Sequence, residues 1–174
     1  MKTLNASAAV EWARTNKIHL GEHRKPLGPE AGLKKCRFVL PKSASKQVSF
    51  CRFIERSLRP WERCLFWVTE WGIWESSENW HLYYRLRQSY GDHLLIEEAS
   101  AHLFLEYEVH DLISFIQIGL TSGWDFTFLT RNDYTRIFVS HDEWVEFMTH
   151  DEIELEKIQS ELLTLGLEAI PEPA

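Results

Sequence analysis

The segment Arg63–Trp71 limits the possible folds more than any other part of the chain. Its centre, Cys64-Leu65-Phe66-Trp67-Val68, is the longest unbroken apolar run in the sequence. It falls far short of the roughly 18 residues that a membrane-spanning helix needs. In a strand, successive side chains point to opposite faces. A run with no polar interruption therefore needs apolar cover on both sides, which predicts a central strand. The rest of the chain has to supply a layer for each face.

A second segment is apolar on most sides. In Glu108–Leu120, the residues Val109, Leu112, Ile113, Ile116 and Leu120 follow helical spacing, and Phe115 and Ile118 add another face. That pattern predicts a helix buried in the middle of the domain, stopped at Thr121-Ser122-Gly123. Around these two anchors, Ser7–Lys17 reads as a short helix capped by Ser7, and Arg37–Leu40 as a short strand stopped by Pro41. A helix from Ser43 carries Val48, Cys51, Phe53, Ile54 and Leu58 and ends before Pro60. Residues 78–90 fit a helix started by Ser76 or Ser77, yet Leu82, Tyr84 and Leu86 also alternate as in a strand. Leu94–Glu97 and His102–Glu106 are strand candidates. Asp125–Thr130 and Tyr134–Val139 flank Arg131-Asn132-Asp133 as a hairpin. Ser140 with Glu143 has capping-box spacing and predicts a helix start. Glu152–Leu165 is a final amphipathic helix, with Leu155, Ile158, Leu162 and Leu165 inward.

These elements define an α/β chain of the α+β type, a single domain with a mostly antiparallel sheet covered by helices. A length of 174 residues suits that size. We divide it into a basic N-terminal helix and connector over 1–36, a core over 37–168 and a frayed tail over 169–174. Gly21–Lys35, with Pro26, Gly28, Pro29 and Gly32, is the connector. No N-terminal apolar stretch resembles a secretory signal, and three cysteines form no C-x-x-C pair. Reduced thiols in a cytoplasm are the expectation.

Charge is unevenly distributed. Residues 1–60 carry 13 Lys and Arg against 4 Asp and Glu, a net of +9. Residues 61–174 carry 6 against 22, a net of −16, so the whole chain stands at −7. The basic residues Lys34, Lys35, Arg37, Lys42 and Lys46 are spread out and interrupted by Phe38-Val39-Leu40. Spaced charges favour a basic segment lying on its own acidic body over an arm free to bind nucleic acid. Nucleic-acid binding through the basic first third is kept as a lesser alternative.

No G-x-S-x-G, G-x-x-x-x-G-K-[ST] or G-x-G-x-x-G occurs. His19 and His23 have the spacing of a helical ligand pair, but Gly21 lies between them and prolines follow. His-Asp-Glu occurs twice, at 141–143 and 150–152, and first-turn acids of two helices explain both copies. Ser140-His141-Asp142 holds the residue types of a hydrolytic triad, but triads are assembled across a fold and not by adjacency. His110-Asp111 resembles the adjacent ligand pair of metal-dependent phosphohydrolases. Those domains are all-helical and need further ligands on other helices, which this strand-rich chain does not offer. A metal-assisted hydrolase using His141, Asp142 and Glu143, with His110 and Asp111, is the enzymatic alternative.

The most distinctive local feature is tryptophan-rich: Trp61, Trp67, Trp71, Trp74 and Trp80 fall within 20 residues. Core packing accounts for most of them. Trp71, Trp74 and Trp80, with His81, Arg85 and Arg87, also have the composition of a partner-binding platform, since interfaces favour Trp, Tyr and Arg. The favoured expectation is a non-catalytic cytoplasmic protein-binding module, of the immunity or inhibitor kind, whose acidic surface covers another protein with a basic surface. No cofactor and no membrane are expected.

Overall fold

The computed structural model describes residues 1–20, 33–71, 77–131 and 135–171. Among them, eight strands form one antiparallel sheet: β1 Lys2–Leu4, β2 Lys34–Val39, β3 Arg63–Glu70, β4 Ala101–Leu105, β5 Asp125–Thr130, β6 Thr135–Ser140, β7 Trp144–Thr149 and β8 Ala169–Ile170. Their spatial order is β1-β4-β3-β5-β6-β7-β2-β8. Five helices accompany them: α1 Ala6–Thr15, α2 Ala44–Ser57, α3 Ser77–Ser89, α4 Val109–Ser122 and α5 Glu152–Thr164. This is the α+β arrangement the sequence predicts, and no helix among the described residues is long and apolar enough to cross a membrane.

β3 lies inside the sheet between β4 and β5, and both of its faces are buried. Cys64, Phe66 and Val68 join the larger core, to which α2, α3, α4 and α5 all contribute. Leu65 and Trp67 join a smaller core on the opposite face with Ala9 and Ala13 of α1. Four helices therefore cover one face, and α1 covers part of the other. α4 packs between α2 and α3. It approaches β5 so closely that a Cβ at Gly119 would stand 2.7 Å from the Phe126 ring. Its end is a Schellman turn: Gly123 takes φ +64 and the Trp124 N–H donates to the Gly119 carbonyl at 3.1 Å.

Several expectations need correcting. The cap of α1 is Asn5, whose side chain accepts from the Ala8 N–H at 2.8 Å, and not Ser7. Ser140 begins no helix. His141, Asp142 and Glu143 are the three-residue loop of the β6–β7 hairpin, with Glu143 in the left-handed conformation at φ +65 that such loops need at their last position. The capping-box spacing there is coincidental, and the stronger signal was the alternation of buried Val145 and Phe147 along β7. Leu94–Glu97 is no strand: Asp92 accepts from the Leu94 N–H in a local turn, and a 3-10 turn follows at Ile96–Glu98. Residues 78–90 are helical, in α3.

Both ends of the chain are tied into the sheet. β1 pairs with β4, and β8 pairs with β2, so the tail enters the sheet at Ala169–Ile170. β2 begins at Lys34, which places the 36/37 boundary inside a strand. The connector expected over 21–35 lies mostly outside the described residues. Trp67 and Trp71 do not share a face. A bulge between Val68 and Glu70 shifts the register, and Trp71 packs on the larger core, against Tyr83 and Trp124.

Candidate functional site

α3 presents two unlike sides. Tyr83 and Arg87 are buried, whereas His81, Leu82, Arg85 and Gln88 are exposed. Of the six residues of the expected platform, His81 and Arg85 therefore stand on an open surface. Trp71 is half-buried against the core, Trp74 lies outside the described residues, and Trp80 lies in α3. Arg87 is 1% exposed and belongs to the interior. Its Nε donates to Asp92 Oδ2 at 2.7 Å, its Nη2 donates to the Leu94 carbonyl at 2.7 Å, and its guanidinium lies 5.0 Å from the Tyr83 ring centre.

Arg87 opens a buried polar chain that sequence reasoning missed. Asp92 accepts from Arg87 and from the Thr3 hydroxyl. The single Thr3 hydroxyl proton goes to that carboxylate, so the oxygen is left to accept from His102 Nδ1 at 3.4 Å. His102 Nε2 is then the acceptor for the Tyr83 hydroxyl at 2.9 Å. Burial, and after it the Arg87 charge, pushes the fully buried His102 down to about 3, so it is neutral at physiological pH. Asp92 is held down at about 2, its burial outweighed by hydrogen bonds from Arg87, Thr3 and the Leu94 N–H and by the Arg87 charge. The chain locks β1, β4, α3 and the α3 exit together. No local sequence signal pointed to it, because a three-residue edge strand carries no periodicity.

Large apolar side chains left exposed concentrate in the same stretch of sequence. Seven are exposed among the described residues, and five of them fall between 82 and 107: Leu82, Tyr90, Leu94, Leu95 and Tyr107. Leu95 is 65% and Tyr107 79% exposed. The Tyr90 hydroxyl donates to Asp111 on the first turn of α4. The surface that α3 and its exit offer is thus leucine and tyrosine with His81 and Arg85, a different composition from the tryptophan platform.

The second cluster is at the opposite kind of position, where three strands end. Glu70 closes β3, Asp125 opens β5 across from it, and His141 follows β6. One potential ligand atom from each lies within 4.8 Å of the others, the only such group of His, Cys, Asp or Glu among the described residues. His141 donates from its backbone N–H at 2.6 Å and from Nδ1 at 2.8 Å to the same Asp125 oxygen, while Nε2 faces Asp142 at 3.5 Å. The hydrogen bond to Asp125, and the charges of Asp125, Asp142 and Glu70, raise the His141 pKa above its ordinary value. The ring is a clasp between hairpin and sheet, and only its deprotonated form can ligate a metal. Of the expected ligand set, His141 and Asp142 sit here. Glu143 is paired with Lys42 at 3.1 Å, and His110 and Asp111 belong to α4. Asp125 and Glu70 went unnamed, although the predicted β5–β6 hairpin already brings Asp125 beside the end of β6.

Six basic residues from 34 to 59 are paired with carboxylates. Lys34 pairs with Glu152, Lys35 and Arg37 with Glu146, Lys42 with Glu143, Arg56 with Glu161 and Arg59 with Glu55 and Glu106. Arg37 also lies 4.0 Å over the Trp144 ring. The two charge-rich parts of the chain neutralise each other across the β2–β7 pairing and around α2.

The fold and these surfaces define an α+β protein with one antiparallel sheet sandwiched between four helices and one. No protein-family model, no curated protein and no solved structure matches the chain.

Proposed function

We propose that this protein is a non-catalytic binding module that works in the cytoplasm through protein–protein contact, in the manner of an immunity or inhibitor protein that covers a basic partner. The observation that carries the reading is the concentration of exposed Leu82, Tyr90, Leu94, Leu95 and Tyr107 around α3 and its exit. Apolar anchors of this kind provide affinity, and a net charge of −7 speeds encounter with a basic surface. The cysteines Cys36, Cys51 and Cys64 are all free and buried, which suits a reducing compartment. Lys34, Arg37, Arg56 and Arg59 pair with carboxylates of the same chain, which weighs against a nucleic-acid arm. Affinity capture from the host lysate at low and moderate salt, with and without nuclease, tests the reading. A dominant basic protein that survives nuclease supports it; an empty capture, or recovery lost to nuclease, refutes it.

A second reading, a metal-assisted hydrolase, rests on the proximity of Glu70, Asp125 and His141. It requires a neutral His141, so stoichiometric Zn or Mn binding that strengthens with rising pH and is lost in His141→Gln supports it. Absence of such binding removes it.

A further inference from the structure

Among the described residues, α1 leaves part of its sheet face uncovered, and the uncovered part is a cleft of about 1120 Å³. Leu4, Ala8, Leu103 and Leu105 give it an apolar floor and wall, with Trp12 of α1 beside them. That volume lies just above the usual range for small-molecule sites, roughly 300–1,000 Å³. The cleft lies on the sheet face that α1 packs against, and Tyr107 at its rim is shared with the binding surface proposed above.

Charge in the cleft runs against that of the whole protein. Its three carboxylates are already engaged: Glu11 with Arg14, Glu62 with Arg131, and Glu108 with the chain N-terminus and the Leu105 N–H. Three cations that line it, Lys2, Lys17 and Arg63, have no carboxylate partner among the described residues. The Trp12 indole N–H is buried without an acceptor among the described residues.

Lys17 adds an independent point. It occupies the position just past the end of α1 with φ +60, where the Ile18 N–H closes back on the Ala13 carbonyl at 2.9 Å. Glycine is the residue that fits such a position without strain. A cation holds it here, at the edge of the cleft.

We propose that this cleft is a binding site for a small amphipathic anion, a carboxylate with an apolar tail. The tail lies on Leu4, Leu103 and Leu105 beside the Trp12 ring, and the carboxylate accepts from Arg63, Lys17 or Lys2. Sodium decanoate, below its micelle concentration, is the probe, added to the full chain and followed by calorimetry and by the indole N–H resonances, with Trp12 assigned through Trp12→Phe. Saturable one-to-one binding is expected, with a change in the Trp12 signal because its ring lines the cleft. Arg63→Gln weakens it about tenfold or more, and Lys157→Gln on α5 leaves it unchanged. Lys17→Gly separates binding from folding, because it raises the melting temperature while weakening decanoate. Failure of decanoate to saturate, equal binding of decyltrimethylammonium, or unchanged affinity in both Arg63→Gln and Lys17→Gly overturns the proposal. Binding of poly-glutamate in place of decanoate also overturns it, and assigns the cleft to an acidic protein segment.

Discussion

Lowering the pH from neutral to about 4.5 should cost this fold about 2.5 kcal/mol through a single side chain, His102. Native His102 is held at about 3 by burial and by the Arg87 charge, against an ordinary value of 6.5. The unfolded chain therefore takes up a proton below pH 6.5 that the native protein refuses, and stability falls by about 1.4 kcal/mol per pH unit until the native value is reached. Two neighbouring effects fall in other windows. Asp92, held at about 2 against 3.8, adds stability that is lost only as the pH falls below 3.8. His141, with its raised native pKa, contributes fully below 6.5 and loses its contribution as the pH rises through the native value. Urea unfolding at a series of pH values, for the native sequence and for His102→Gln, isolates the effect. The slopes should differ by one proton between about pH 6 and 4.5. Proton NMR of the imidazole resonances checks the same point without a variant: the His102 signal should not titrate in this range. Equal slopes, or a His102 midpoint above about 5, would refute the assignment of His102 as a buried neutral member of the chain.

Asp92→Asn leaves the buried Arg87 charge uncompensated and should cost on the order of 3 kcal/mol by denaturant unfolding. The double change Arg87→Met with Asp92→Leu should recover most of that loss. Gly119→Ala gains about 1 kcal/mol of helix propensity but drives a Cβ to 2.7 Å from Phe126. The clash costs about 1–3 kcal/mol, so the melting temperature should fall; a rise would show that the Phe126 ring yields freely. Burial pushes the Cys36 and Cys51 thiols up to about 12, and Cys64 is raised too. Iodoacetamide at mildly alkaline pH should leave the folded protein unlabelled and modify all three cysteines after denaturation.

Long-period features were legible in the sequence, and contacts made by short elements were not. Cys64–Val68 announced a strand buried on both faces, and the pattern from Val109 to Leu120 announced the helix that fills the larger core. The β5–β6 hairpin was equally plain from the strand-like runs flanking Arg131-Asn132-Asp133, and the last helix from its side-chain period. β1 and β8, three and two residues long, have no period and are held by pairing with β4 and β2. Ser140–Glu143 satisfied a helix-start pattern, but the chain instead turns back so that Val145 and Phe147 can enter the core. Arg87 looked like a surface anchor on helical spacing, and its neutralising partner Asp92 lies past the helix end where no spacing rule reaches. The pairing of basic and acidic halves could be expected from the charge distribution, but its partners could not, since they depend on strand order.

The central claim, that α3 and its exit form the docking surface, is tested most directly by capture with two matched variants. Leu95→Asp places a charge in the exposed segment, and Ile153→Asp places the same charge on an even more exposed apolar side chain of α5. Both should fold with unchanged melting temperature. The account predicts that Leu95→Asp loses the captured partner and that Ile153→Asp retains it at the level of the native sequence. Equal retention by both, or loss in Ile153→Asp alone, would contradict it.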